Sequence, residues 1–187
     1  MTHSMTRRGA LAARASVAAG AAALPLGVGT AAAQFDPSPF GGGSGLPAGL
    51  RFGDLVVDAS RLARLGNIGD AERVTAVLTR QLREVFADII VPRGAGGATL
   101  VARISSISMP SYVGSRAYNG KDGGGGNDTL EGVGIVTSGR QVLAQVPILS
   151  VLSPTYSGSW YQPDIEAKRL VSVCHHFAWW LRREMGV

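Results

Sequence analysis

Hydrophobic residues along this chain change their spacing from every second position to every third or fourth. Between Asp70 and Ile89 they follow the helical period, which predicts an amphipathic helix of about nineteen residues with Asp70 as its N-cap. The runs before and after it, Leu55–Val57 and Thr99–Met109, have the composition of strands. A helix between two strands favours a right-handed crossover and a parallel strand pair.

Two more strands are predicted over Thr129–Thr137 and Gln141–Leu152, joined by a short glycine-containing turn as in a β-hairpin. A second helix is expected from Pro163 to about Met185, because acidic residues follow the proline and arginines end the segment. The sequence therefore predicts an α+β fold. We expect a two-layer sandwich in which a four-stranded mixed sheet, in the order β-α-β-β-β-α, carries both helices on one face.

The side-chain pattern assigns a buried side to these elements. The expected buried arc of the last helix consists of Leu170, Val173, Cys174, Phe177, Trp180 and Leu181. The expected apolar face of the last strand consists of Val142, Ala144, Val146 and Ile148. In the strand that follows the crossover helix, Thr99–Met109, Leu100, Ala102 and Ile104 share one face and Ile107 lies on the other. Gly132 and Gly134 leave room on the third strand, which helix aromatics are expected to fill.

Residues 1–33 have the three-part order of a secretory signal peptide. Three arginines and no acidic residue precede an alanine-rich apolar stretch, and cleavage is expected between Ala33 and Gln34. The apolar part is shorter than the roughly twenty residues that a membrane-spanning helix needs. We therefore expect a periplasmic or secreted mature protein without a permanent membrane span. The Arg7-Arg8 pair fits both the twin-arginine and the general secretory route.

The mature chain divides into a linker and one domain. Residues 34–50 contain three prolines and a Gly-Gly-Gly-Ser-Gly run, which predicts a flexible linker. Residues 51–187 are expected to form a single α+β domain, and a mobile glycine-rich loop is expected over residues 114–128.

Charge and cysteine content exclude several classes of function. The formal net charge of the whole chain is +5, and loss of the three arginines of the signal leaves about fifteen basic against thirteen acidic residues. These basic residues are spread along the chain, so we expect no nucleic-acid partner. Cys174 is the one cysteine, which excludes an intramolecular disulfide, and no cysteine near the cleavage site supports a lipid anchor.

No pattern in the sequence marks a catalytic, cofactor or metal site. His175 and His176 are adjacent on a helix, about 100° apart, so they cannot both face one metal ion as an i, i+4 pair can. Cys174 falls on the buried arc, where a thiol is a poor nucleophile. The nucleophile motif Gly-x-Ser-x-Gly is absent from the sequence. We therefore predict a protein that is not an enzyme and needs no cofactor.

Two surfaces are candidates for binding a partner. Trp179 lies on the polar arc of the last helix beside His175 and Arg183, and large aromatics of this kind are enriched at interaction hot spots. The alternative is that Trp179 is covered by the linker or by the turn at Trp160-Tyr161. The second surface is the outer face of the sheet, whose mixed character fits either a binding face or a hydrated one; its candidate residues are Arg103, Glu131 and Val133.

The order of elements and three short phrases resemble small bacterial envelope domains. The phrases are Leu55-Val56-Val57-Asp58, Leu100-Val101-Ala102-Arg103-Ile104 and Glu131-Gly132-Val133-Gly134. Over about residues 54–185 the chain looks like the amino-terminal domain of TolB and like PqiC-type auxiliary lipoproteins of envelope transport systems. The resemblance implies a non-catalytic domain that serves an envelope complex through protein contacts.

The expected function is that of an exported accessory or binding protein of the cell envelope, with envelope proteins as partners. One alternative is a small-ligand-binding protein or hydrolase whose site lies under the 114–128 loop, lined by Tyr112, Arg116, Tyr118 and Asp128. Another is a homodimer formed through the free edge of the sheet.

Overall fold

A computed structural model of the chain describes residues 46–92, 94–110, 126–159 and 161–187. The predicted signal peptide, residues 34–45 of the predicted linker and most of the predicted glycine-rich loop lie outside these residues. The helices and strands, in chain order, are β1 (Phe52–Asp58), α1 (Ser60–Arg64), α2 (Ile68–Val85), β2 (Ala98–Ser108), β3 (Asp128–Ser138), β4 (Gln141–Leu152) and α3 (Ile165–Met185). Short 3₁₀ turns occupy Ala87–Ile89 and Pro154–Ser157.

The four strands form one mixed sheet in the order β1-β2-β3-β4. β1 and β2 are parallel, whereas β2–β3 and β3–β4 are antiparallel. A parallel pair needs a crossover connection, and α1 and α2 supply it. α2 packs against β1, α3 packs against β3 and β4, and the two long helices pack against each other. The predicted α+β class and the four-stranded mixed sheet are confirmed.

The core lies between the sheet and the two long helices. The rings of Phe52 and Phe86 meet edge to face, with centroids 5.6 Å apart. The largest apolar side chains that are fully buried are Phe52, Phe86, Phe177, Leu62, Leu78, Leu82, Leu100, Ile104, Leu130, Leu181 and Met185. Leu170, Val173 and Cys174 are buried as the helical period predicts. Trp180, which was expected in the core, is only half-buried at its margin.

Both long helices begin at other residues than the sequence predicts, whereas α3 ends at Met185 as predicted. α2 starts at Ile68 with Asn67 at the N-cap, so Asp70 lies inside the first turn and not at the cap. α1 was not predicted, because five residues are too short to show a helical period. The Asp58 carboxylate accepts the backbone N–H of Ser60 at 3.0 Å where α1 begins. α3 starts at Ile165, after Asp164 in a left-handed conformation (φ 59°).

Two β-bulges move side chains to the opposite face of the sheet. The register of β2 against β3 shifts between Ile104 and Ser106, so Ile107 pairs with Leu130 and packs against the core. The register of β4 shifts in the same way near the hairpin, and Val142 is 50% exposed. The predicted outward position of Ile107 and the predicted buried position of Val142 are therefore wrong. Each bulge inserts one residue into the alternation.

Gly134 of β3 makes room for aliphatic side chains of α3. A Cβ built on Gly134 would collide with Leu181 and would lie 2.9 Å from Cε of Met185. At Gly132 the nearest atoms belong to β2, because a Cβ there would lie 2.6 Å from the backbone oxygen of Arg103 and 3.1 Å from Cδ1 of Ile104. The expectation that helix aromatics fill the space at these glycines is wrong, since Leu181 and Met185 fill it at Gly134 and β2 fills it at Gly132.

Candidate interaction surfaces

The six residues predicted to bind a partner lie on two opposite sides of the described domain. His175, Trp179 and Arg183 lie on the side of α3 that faces away from the sheet. Arg103, Glu131 and Val133 lie on the outer sheet face, which is the face that none of the described helices covers. A layer of helix and a layer of sheet separate the two groups, so they cannot belong to one contact site. We treat them as two surfaces.

The first surface is an aromatic cluster on α3. Trp179 is 47% exposed, and its ring centroid is 5.5 Å from that of Trp180, at an interplanar angle of 88°. The guanidinium carbon of Arg183 lies 4.4 Å from the Trp180 centroid and 5.7 Å from the Trp179 centroid. Cation–π contacts of this kind are worth about 0.5–1 kcal/mol at exposed sites. The three side chains therefore hold one another in place while Trp179 stays open to solvent.

His175 borders the aromatic cluster and is held by α2. Its Nδ1 donates to Oε1 of Gln81 at 2.9 Å, and Gln81 is buried between the helices. The ring itself remains exposed. The hydrogen bond fixes the ring orientation and satisfies a buried amide oxygen, so His175 contributes to the joint between α2 and α3 as well as to the surface.

His176 points to β4 and joins a chain of hydrogen bonds. The indole Nε1 of Trp180 donates to Nε2 of His176 at 2.7 Å, and Nδ1 of His176 lies 2.8 Å from Oγ of Ser150. An indole nitrogen can only donate, so the neutral imidazole carries its proton on Nδ1 and donates it to Ser150. Burial, together with the neighbouring His175, lowers the pKa of His176.

The Ser150–His176 pair is not arranged as a nucleophile and its base. Ser150 is fully buried, and its hydroxyl donates to the backbone oxygen of Val173 at 3.2 Å. His176 donates to Ser150 and cannot accept the serine proton in this tautomer. Cys174 is equally unsuited to nucleophilic attack, because burial raises the pKa of its thiol to about 12.

A buried ion pair that the sequence reasoning missed connects α3 to the start of β3. Nε of Arg169 donates to Oδ2 of Asp128 at 2.9 Å, and its NH2 group contacts Oδ1 of the same carboxylate. Arg169 also donates to Glu166 and to the backbone oxygen of Pro110, each at 2.8 Å. The hydrogen bonds that Arg169 donates to the Asp128 carboxylate, more than the charge of that carboxylate, raise the pKa of Arg169. An arginine beside Leu170 on the buried arc was the signal for such a partner.

Arg169 thereby joins the two chain segments that border residues 111–125. Pro110 precedes that segment and Asp128 follows it. Of the four residues expected to line a ligand site there, Tyr112, Arg116 and Tyr118 lie outside the described residues. Asp128 is 2% exposed and both of its carboxylate oxygens contact Arg169, so it is not free to bind a ligand.

Two depressions lie on the helical side of the domain. One of about 370 Å³ is lined by Asp70, Arg73, Ile107, Met109 and Glu166. The other, of about 500 Å³, runs between α2 and α3 and has an apolar floor that includes Val77 and Leu170. Within the ranges that the structure describes, no group of three His, Cys, Asp or Glu side chains could hold a metal ion. Among the described residues that line them, neither depression brings a nucleophile together with a base.

The second surface is the outer sheet face. Arg103 Nε lies 3.4 Å from Oδ2 of Asp58, and the Ser106 hydroxyl donates to the Glu131 carboxylate at 3.0 Å. Hydrogen bonding from Ser60, more than the charge of Arg103, lowers the pKa of Asp58. Leu149, at 64% exposed, and Val56, at 45%, are among the exposed apolar residues of this face. Its character is mixed, as predicted, with a large apolar share.

Comparisons with known proteins give no family for the chain. No protein-family model matches it, and no curated protein matches it. Two solved structures are similar to it, both PelC dodecamers from Paraburkholderia phytofirmans. The form in space group C2 has a TM-score of 0.40 at 9% identity and covers 78% of this chain and 95% of that chain. The form in space group P6 has a TM-score of 0.39 at 9% identity, covering 74% and 91%.

In the part of the chain that the structure describes, no helix is both long enough and apolar enough to cross a bilayer. α3, the longest of the described helices, contains several charged residues within its 21 positions.

Proposed function

We propose that this chain is an exported accessory protein of the bacterial cell envelope that acts without catalysis, by binding another protein through the aromatic cluster of α3. The observation that carries the proposal is the exposure of Trp179. A tryptophan that is 47% exposed and braced by Trp180 and Arg183 offers a large rigid contact area. Such residues dominate the binding energy of protein interfaces.

The charges around Trp179 indicate the chemistry of the partner. Arg183 forms no ion pair with any described residue, and Arg182 next to it is paired with Asp88. A partner that places a carboxylate near Arg183 and an apolar side chain on Trp179 would satisfy both groups. Export of the protein is supported by the signal-peptide pattern of residues 1–33 alone.

The alternative of a ligand-binding protein or hydrolase has less support. Asp128, its one candidate residue among those described, is occupied by Arg169. In the Ser150–His176 pair, the imidazole proton is on the Nδ1 atom that faces Ser150, and the serine hydroxyl is buried. A protein-binding role needs neither group.

The first experiment tests export. The full chain is expressed in a bacterial host, the periplasm is released, and the mature amino terminus is determined by mass spectrometry. We expect Gln34 as the first residue and loss of export when Arg7 and Arg8 are both changed to lysine, if the twin-arginine route is used. A full-length protein retained in the cytoplasm would contradict the proposal.

The second experiment tests the aromatic cluster. The mature protein is crosslinked in intact envelopes, each captured protein is purified, and its affinity is measured by calorimetry. We expect Trp179→Ala to raise the Kd by about 30-fold, the equivalent of a 2 kcal/mol hot spot. Tyr156→Ala is the matched control, since Tyr156 is 73% exposed and lies outside the cluster. Equal binding by both variants, or an unfolded Trp179→Ala protein, would contradict the proposal.

A further inference from the structure

The outer sheet face carries a continuous apolar band that crosses the sheet diagonally. In one row, Val56 of β1 is the register partner of Val101 of β2, and Val101 is the partner of Ile135 of β3. In the next row, Val133 is the partner of Pro147 of β4, and β4 continues outward through two more apolar positions. We define the apolar band as Val56, Val101, Ile135, Val133, Pro147, Leu149 and Val151.

The two ends of the apolar band are well exposed. Val56 at one end is 45% exposed, and Leu149 and Val151 at the other are 64% and 40% exposed. No element within the described residues packs on this face, because all of the described helices lie on the other side. Single apolar residues on a surface are ordinary, whereas a contiguous band of seven indicates a surface that another molecule covers.

We propose that the apolar band binds a second copy of this chain, so that the outer sheet faces of two molecules pack against each other around a two-fold axis. This interface is separate from the aromatic cluster of α3 and does not depend on the function proposed for that cluster. A two-fold interface requires that the same patch be complementary to itself.

Two charged residues at the middle of the band supply this self-complementarity. Arg103 on β2 is the register partner of Val133, and Glu131 lies two positions along β3 from Val133, so Arg103 and Glu131 are diagonal neighbours. The Arg103 side chain is 61% exposed, and Glu131 is also exposed. A two-fold axis that lies between the two sheets and passes midway between Arg103 and Glu131 places each Arg103 against the partner's Glu131.

The same axis superposes the two apolar ends. Neighbouring strands are about 4.8 Å apart, and alternate residues of one strand are about 6.8 Å apart. At these spacings the two-fold axis is perpendicular to the apolar band and crosses it near Val133 and Pro147. It then brings Val151 over the partner's Val56, and Leu149 between the partner's Val101 and Ile135. The strands of the two sheets would cross at about 70°, near the orthogonal class of sheet packing.

The area of the outer sheet face limits such a dimer to a small interface. Four strands of seven to twelve residues give a face of roughly 670 Å² per molecule, at about 4.8 Å between strands and 3.4 Å per residue. Because the strands of the two sheets cross at about 70°, the two faces overlap over about 400 Å² in plan. Specific interfaces bury about 600–1,000 Å² of accessible surface per partner, so the pair is expected to be small and to depend on the apolar band and on the charges that flank the axis.

The free edge of β4 is a poorer place for a second copy. Pro147 lies in the middle of β4 and has no N–H to donate to an added strand. Prolines in edge strands are a common protection against edge-to-edge pairing. At the other edge, Phe52 already forms a bridge with Ile90, and the Val91 N–H donates to the Phe52 oxygen at 2.9 Å. These contacts favour pairing through the face over pairing through an edge.

The first test is the oligomeric state of the mature protein by sedimentation equilibrium. We expect a dimer, and we expect Leu149→Lys to raise the dimer Kd by at least about 10-fold. Trp179→Ala is the control and should remain dimeric, since Trp179 lies on the opposite side of the domain. A wild-type protein that is monomeric at about 100 μM, or a Leu149→Lys protein that dimerises as the wild type does, overturns the proposal.

The second test uses the charges that flank the axis. In a dimer of the Arg103→Glu variant, a carboxylate would face a carboxylate at both contacts across the axis. In a dimer of the Glu131→Arg variant, a guanidinium would face a guanidinium at both contacts. Each variant should therefore be monomeric. Mixed in equal amounts, the two variants should form a heterodimer, because every contact across the axis is then between opposite charges. Failure of the mixture to dimerise while both variants are folded overturns the two-fold arrangement.

Discussion

The guanidinium of Arg169 and the carboxylate of Asp128 form a buried ion pair through two nitrogens and two oxygens. The pair joins the second turn of α3 to the first residue of β3. Arg169 is fully buried and Asp128 is 2% exposed. A charge removed from water in this way is tolerated only while its partner is present.

We expect Arg169→Met to lower the free energy of unfolding by about 3–5 kcal/mol, because it leaves the Asp128 carboxylate buried without its cation. Urea denaturation at neutral pH measures the loss. Glu166→Gln is the matched control, since the Glu166 side chain also contacts Arg169 but is 56% exposed, and it should cost less than about 1 kcal/mol. If both variants lost a similar amount of unfolding free energy, burial of the Asp128 carboxylate would not depend on its ion pair with Arg169.

The close contact between β3 and α3 makes Gly134 sensitive to a single methyl group. Gly134→Ala should destabilise the fold by about 1–3 kcal/mol, because the new Cβ meets Leu181 and Met185 in a packed region. Gly69→Ala is the control: Gly69 lies in the first turn of α2 with nothing within 4 Å, so alanine should stabilise the helix by up to about 1 kcal/mol. Thermal unfolding of both variants tests the pair, and opposite signs are expected.

The hydrogen-bond chain through His176 makes stability depend on pH. The pKa of His176 is lowered in the folded protein by burial and then by His175, whereas in the unfolded chain it has its ordinary value of 6.5. Between these two values the unfolded state binds more protons, so this contribution to stability is complete above pH 6.5 and is lost as the pH falls toward the folded pKa. Below the folded pKa the contribution changes no further.

Urea unfolding between pH 7.5 and about 5 measures this dependence, and an NMR titration of the His176 ring gives the folded pKa directly. His176→Gln should remove the part of the slope that the imidazole causes. A His176 resonance that titrates at or above 6.5 would contradict the lowered pKa.

Cys174 should be unreactive in the folded protein. Its thiol is buried, and burial raises its pKa to about 12, so almost no thiolate is present at pH 8. We expect Ellman's reagent to label Cys174 only when denaturant is added. Rapid labelling of the native protein at stoichiometric yield would show that α3 opens at this position.

The helical and strand periods predict most of the core of this fold, and particular residues show where this reasoning stops. Val173, Cys174, Phe177 and Leu181 are buried as the spacing on one helix predicts. Ile107 and Val142 lie on the faces opposite to those predicted for them. A bulge depends on the neighbouring strand, so the hydrophobic alternation within one strand does not predict it.

The candidate surfaces show the same division. The helical period places Trp179 and Arg183 on the polar arc of α3, and both are exposed among the described residues. The alternative that the linker or the turn at Trp160-Tyr161 covers Trp179 involves residues that lie largely outside the described ranges. That they form a cluster with Trp180 depends on side-chain packing at the margin of the core. The separation of Trp179 from Arg103, Glu131 and Val133 by the whole thickness of the domain depends on which face of the sheet receives the helices.

By itself the sequence determined the α+β class, the order of the long elements and the buried arc of α3, because these follow from local periodicity and from short-range backbone preferences. Only the tertiary structure decided the bulged registers, the Arg169–Asp128 pair and the diagonal apolar band. Each of these joins residues that are far apart in the chain, and their energies depend on distances that exist only after the sheet and helices have packed.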